Sequence, residues 1–156
     1  MLVKAIGNQP EYFEEVYQIV LKDEYQVSNR AAWVLSLTAE QNPQLAVPYF
    51  KDIVNRVDGF SISGIRRSLL KVLLHVKWPE DEDILGSLTE KCFSFLENEN
   101  EPVAVRSYAM MMLYQVCKIY PDLKSELSAC IEKNKPTGSG GFRVQAKKIL
   151  MELQKL

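Results

Sequence analysis

The chain has 156 residues, enough for one domain that hides roughly 70% of its unfolded surface. Its composition, 47% hydrophobic and 25% charged, excludes a disordered chain. Lys and Arg (19) nearly balance Asp and Glu (20), which excludes a strong field drawing in nucleic acid or an anionic membrane. No run approaches the ~20 apolar residues that span a bilayer. Residues 1–8 lack the charged flank and long apolar core of a secretion signal, so the expected address is cytoplasmic.

In chain order, a helix over about 10–24 comes first, opened by Pro10. Arg30 then marks an apolar helix over 28–41, with Trp33 and Leu37 three and seven positions on, and Pro43, with Asn42 as its cap, starts a partner over 43–57. Arg66, with Leu69 and Leu73, marks 63–77. Pro79 starts 80–97, where Glu80, Asp81, Glu82 and Asp83 set negative charge at the positive helix end. Arg106, with Ala109 and Leu113, marks 102–119, and Pro121 starts 121–134. After a Pro136-to-Gly141 break, read as a mobile loop, Arg143 with Ala146 and Leu150 marks a last helix over 142–155. The expectation is about seven main helices, no strand, and a single domain over 1–156.

Two independent marks share one period. The arginines lie 36, 40 and 37 residues apart, and the prolines fall 13, 13 and 15 residues after the first three. We term the arginine-marked helices first-type and the proline-opened ones second-type. Their apolar arcs are too wide for a lone pair, as in Leu45, Tyr49, Phe50, Ile53, Val54 and Val57, so stacking is expected.

The stretch Val103-Ala104-Val105-Arg106-Ser107-Tyr108-Ala109-Met110-Met111-Met112-Leu113 resembles the Val-Arg-x-x-Ala-x-x-x-Leu first-helix signature of the HEAT-like repeat (armadillo-type α-solenoid) family. Phe142-Arg143 through Leu150 is similar, and Ile65-Arg66 and Asn29-Arg30 are looser matches. That family's usual Asp before the arginine has Asp58 as its one counterpart; Asn29, Asn100 and Ser139 stand near the other places. The resemblance implies an all-α fold, a right-handed superhelix of stacked antiparallel helix pairs, with a binding or scaffolding role rather than catalysis.

Chemistry-bearing patterns are sparse. Cys92, Cys117 and Cys130 are odd in number and irregular in spacing, and read as buried reduced thiols rather than a disulfide frame or zinc site. His75, the only histidine, reads as a buried or partly buried structural imidazole without a nucleophile or metal partner. Gly138, Ser139, Gly140 and Gly141 precede a helix but lack the phosphate-loop order, so they read as a flexible linker. Trp33 and Trp78 read as anchors of the core or of a turn, and Met110, Met111 and Met112 as packing. The expectation is no catalytic residue, no metal and no cofactor.

In solenoids of this kind the second-type helices line the concave side. Their predicted exposed positions are Glu11, Glu14, Glu15, Gln18 and Lys22; Gln44, Lys51, Asp52 and Asn55; Asp83, Ser87, Glu90, Ser94 and Glu97; and Lys124, Ser128, Glu132 and Lys135. Acids outnumber bases along this stripe. The leading expectation is a protein-binding scaffold for a protein or peptide with a basic segment, with Glu15, Lys51, Asn55, Asp83, Glu90, Ser94 and Glu97 as candidate contacts. A nucleic-acid-binding or DNA-repair module of the HEAT-like glycosylase type is the alternative, disfavoured by a pI near 5.9 and the lack of a basic stripe. A structural homo-oligomer formed through open apolar ends is the third.

Overall fold

The computed structural model describes residues 6–156. Residues 1–5, part of the stretch read above for a secretion signal, lie outside them. Among the described residues there are eight α-helices and no strand: α1 (Pro10–Leu21), α2 (Tyr25–Gln41), α3 (Phe50–Arg56), α4 (Ser63–His75), α5 (Glu82–Glu97), α6 (Val103–Ile119), α7 (Lys124–Asn134) and α8 (Gly140–Gln154). The eight ranges marked in the sequence, totalled there as about seven main helices, each overlap one of them. The chain forms two compact units divided between Asp81 and Glu82.

In unit 1, α1 opens with Pro10 in its first turn and buries Phe13, Tyr17 and Val20, a spacing of four then three that lays them on one face. This face meets α2, and α2 packs along α4. The contact side of α2 is small: Ser28, Ala32, Ser36 and Ala39 are fully buried beside Leu35. Small residues let the two helices approach so closely that a Cβ on Gly64 would lie 2.1 Å from Asn29 Oδ1. The buried hydroxyls are satisfied locally: Ser28 Oγ donates to the Ile19 carbonyl (2.7 Å) and Thr38 Oγ1 to the Val34 carbonyl (2.9 Å).

This burial pattern corrects the register of the first repeat. Leu69, Ala109 and Ala146, three residues beyond their arginines, are wholly buried, whereas Trp33 is 46% exposed. Counting from Asn29 instead puts the buried Ala32 and Ser36 at the +3 and +7 positions, so Asn29 occupies the arginine's place and Arg30 lies exposed one residue on. The helix expected over 43–57 is also broken. Pro43–Leu45 and Val47–Tyr49 form 3₁₀ turns, and only Phe50–Arg56 is α-helical. Pro48 supplies no N–H and its ring crowds the preceding turn, which explains the interruption. Asn42 does not cap; its Nδ2 donates to the Gly7 carbonyl at 2.9 Å.

In unit 2, α6 packs against α5 and α8, and α7 contacts all three. Pro79 lies outside α5, which starts three residues later at Glu82 and buries Ile84, Leu85, Leu88, Cys92, Phe95 and Leu96. Met110 and Met112 are buried in α6, as packing requires. The centre of unit 2 is Arg106, only 4% exposed. Its Nε and Nη2 donate to the Leu96 carbonyl (3.0 and 2.8 Å), and Nη2 also to Asn134 Oδ1 (3.4 Å). The guanidinium lies 4.1 Å from the centroid of the buried Phe142 ring. Arg66 and Arg143 likewise donate to main-chain carbonyls ahead of their helices, at Phe60, and at Lys135 and Pro136. The repeat arginine therefore ties its helix to main-chain carbonyls of the segment before it, the end of α5 for Arg106 and the connecting turns for Arg66 and Arg143.

The segment read as a mobile linker is a packed turn. Gly138 is buried, and a Cβ there would stand 2.3 Å from the Phe142 ring. Ser139 caps α8 by accepting from the Phe142 N–H at 3.3 Å.

Candidate functional site

The seven candidate contacts are all exposed, but they divide between the units. In unit 1, Glu15, Lys51 and Asn55 are the sequence neighbours of Glu14, Asp52 and Arg56, which belong to a hydrogen-bonded network linking α1 to the α3 segment. Tyr17 Oη donates to Asp52 Oδ2 at 2.6 Å, and Arg56 Nε donates to both Asp52 oxygens at 3.0 Å. Tyr49 Oη donates to Glu14, whose other oxygen accepts from Gln18 Nε2 at 2.8 Å. Burial and the neighbouring carboxylates push both phenols up, Tyr49 to about 12 and Tyr17 further. Partial burial alone would raise Asp52, but the Tyr17 hydroxyl and the Arg56 guanidinium outweigh it and hold the carboxyl below the ordinary range. Two of the acids counted in the expected stripe are thus engaged within the fold.

Unit 2 differs. Asp83, Glu90, Ser94 and Glu97 share one side of α5, and Glu90 forms a wall of a groove of about 460 Å³. Glu82, Gly86, Thr89 and Phe93 of α5 line it further; Tyr120, Leu123 and Glu126 close the other side. Asp83, Ser94 and Glu97 are not part of its lining, and Glu97 instead accepts from the Cys130 thiol at 3.5 Å. The groove's row on α5 (82, 86, 89, 90, 93) lies one residue around the wheel from the predicted row (83, 87, 90, 94, 97). That +4, +7, +8, +11 spacing was available in the sequence. Tyr120, Leu123 and Glu126 carry no comparable signal, because only the fold of α6 and α7 brings them opposite α5.

Among the described residues, Glu82, Glu90 and Glu126 make no ion pair or side-chain hydrogen bond. Thr89 Oγ1 is turned back onto the Leu85 carbonyl at 2.7 Å, so its proton is not offered to the groove. Nothing lies within 4 Å of a Cβ built on Gly86, which leaves that stretch of α5 open. Three free carboxylates around an aromatic and leucine floor suit a cationic side chain: its alkyl stem packs on Phe93 and Leu123, and its charge meets the acids and the Tyr120 ring.

Of the other candidate groups, the cysteines and Trp78 behave as packing, whereas His75 and Trp33 do not. Cys92, Cys117 and Cys130 are free and buried, and burial raises all three thiols, Cys130 to about 12 with help from Glu97. His75, expected to be buried or partly buried, is exposed as the last residue of α4. Trp78 does anchor a turn, with Nε1 donating to the Leu73 carbonyl (2.8 Å) and its ring centroid 6.2 Å from that of Phe50. Trp33 does not anchor the core, because the one-residue shift turns it outward. Among the described residues no group of three or more His, Cys, Asp or Glu is placed to hold a metal ion, and no helix is long and apolar enough to cross a membrane.

Comparison with known families matches residues 1–153 to the HEAT repeat domain. Neither a curated protein nor a solved structure matches the chain. With nearly its whole length matched and its helices packed in the pairs that family is built from, the chain belongs to the HEAT repeat domain family, a helical repeat scaffold.

Proposed function

We propose that the protein is a non-enzymatic binding scaffold whose unit 2 groove takes a basic segment of a partner protein. The observation that carries this reading is the unpaired set Glu82, Glu90 and Glu126 around Phe93, Tyr120 and Leu123. An exposed ion pair contributes about 0.5 kcal/mol, and a cation over an exposed aromatic ring about 0.5–1 kcal/mol. The floor and the acids therefore contribute comparably to affinity, and the acids also supply choice of partner and speed of encounter. The same acids repel phosphate, which favours a protein partner over nucleic acid or an anionic membrane. Thiols held protonated by burial are poor nucleophiles, in keeping with a role without catalysis. Their unpaired state suits the reducing cytoplasm.

The test is affinity capture from the host extract with wild type and the Glu90→Lys, Glu126→Lys variant side by side. A partner held by wild type, lost by the variant and traced to a Lys- or Arg-bearing segment supports the reading. A partner retained equally by both removes the groove as the site.

A further inference from the structure

We propose that unit 1 carries a second docking surface, centred on Trp33, Arg67 and Lys71, that takes an acidic peptide segment. This proposal stands apart from the unit 2 groove, since it uses other residues and the opposite charge.

The shifted register leaves a tryptophan 46% exposed in the middle of a well-packed helix. Two cations of α4, one turn apart, face its ring: Arg67 with its guanidinium carbon 5.7 Å from the centroid, and Lys71 with its ammonium at 5.3 Å. Lys71 also pairs with Glu40 at 3.2 Å, so its charge is partly met. Arg67 makes no hydrogen bond or ion pair among the described residues, and its planar fork of donors is open to a carboxylate. Close packing of α2 on α4 at Asn29 and Gly64 sets the tryptophan and the two cations on a firm base.

A half-exposed tryptophan beside an unpaired arginine combines the two residue types that contribute most at protein interfaces. The matching partner presents a Glu or Asp to Arg67 and an adjacent apolar side chain to the exposed indole. The surface is too small for a duplex: affinity for DNA comes from neutralising many phosphates, and here one of two cations already has a carboxylate beside it. An acidic peptide needs only one or two such contacts.

Fluorine NMR of protein labelled with 5-fluorotryptophan tests this directly. The two tryptophans give two signals, and Trp33→Phe assigns them. The probe is a short synthetic peptide alternating glutamate with leucine; a lysine–leucine peptide and an oligothymidylate are the comparison arms. The expected result is a saturable shift of the Trp33 signal with the acidic peptide alone, while the Trp78 signal stays and reports an intact unit. Arg67→Glu weakens that binding by about tenfold or more, and Glu126→Lys in the unit 2 groove leaves it unchanged. An unmoved Trp33 signal, an equal response to the lysine peptide, or a response to the oligonucleotide without one to the acidic peptide overturns the proposal.

Discussion

In unit 1 the second-type segment ahead of α4 is broken into 3₁₀ turns and a seven-residue helix, and its Asp52, with Glu14 of α1, is held by tyrosines, an arginine and a glutamine. In unit 2 the second-type helix α5 runs unbroken for 16 residues, and its acids Glu82 and Glu90 have no internal partner. The repeat arginine differs in the same way. Arg66 is half-buried, whereas Arg106 is sealed between Leu96, Asn134 and Phe142. Where the polar groups of a repeat are engaged in holding it together they are not free to bind. In unit 2 the buried Arg106 takes a main-chain carbonyl and an amide oxygen rather than the acids of α5, and Glu82 and Glu90 stay open.

The largest effect separating the units is at the arginines. Arg106→Met leaves the Leu96 carbonyl and Asn134 without their donor and costs about 3 kcal/mol in urea unfolding. The equivalent Arg66→Met costs about 1 kcal/mol; equal losses would break the comparison. Next, Gly138→Ala drives a methyl against the Phe142 ring beneath Arg106 and costs about 2 kcal/mol by the same measurement. In the opposite sense, Gly86→Ala fills open space in the second turn of α5 and stabilises by about 0.5–1 kcal/mol while narrowing the groove. A gain in thermal stability together with weaker binding of a basic peptide is the expected pair of results.

In unit 1, Tyr17→Phe removes the hydrogen bond to Asp52 and costs about 1 kcal/mol. The smallest effects are those of pH. Asp52 is held below its ordinary value, so its contribution is complete above pH ~4 and fades as pH falls through the lower folded value. The Tyr17 and Tyr49 phenols are held high, so theirs is complete below pH ~10 and lost as pH rises through the folded values, near 12 for Tyr49. Asp52→Asn should flatten the acid limb of the stability–pH curve and Tyr17→Phe the alkaline one; unchanged limbs would show the network to be slack.

The repeat was legible in sequence because arginine and proline mark each helix pair, and the structure places a helix in every marked range. The register of the first repeat was not. Asn29 and Arg30 are neighbours, and nothing local says that the close approach at Gly64 puts Asn29 inward and turns Trp33 out. Pro48 did carry its signal, because a proline inside a predicted helix predicts the break that is found. At the candidate site, the acidity of α5 and the place of Glu90 could be read. Tyr120, Leu123 and Glu126 could not, because they reach the groove only through the packing of α6 and α7 on α5.

The most direct test of the central claim is an amide chemical-shift titration of the labelled protein with a short arginine–leucine peptide. The account predicts shifts concentrated on Glu82, Gly86, Glu90, Phe93, Tyr120 and Glu126, abolished by Glu90→Lys with Glu126→Lys. Shifts spread over the acids of both units, or surviving that variant, would contradict it.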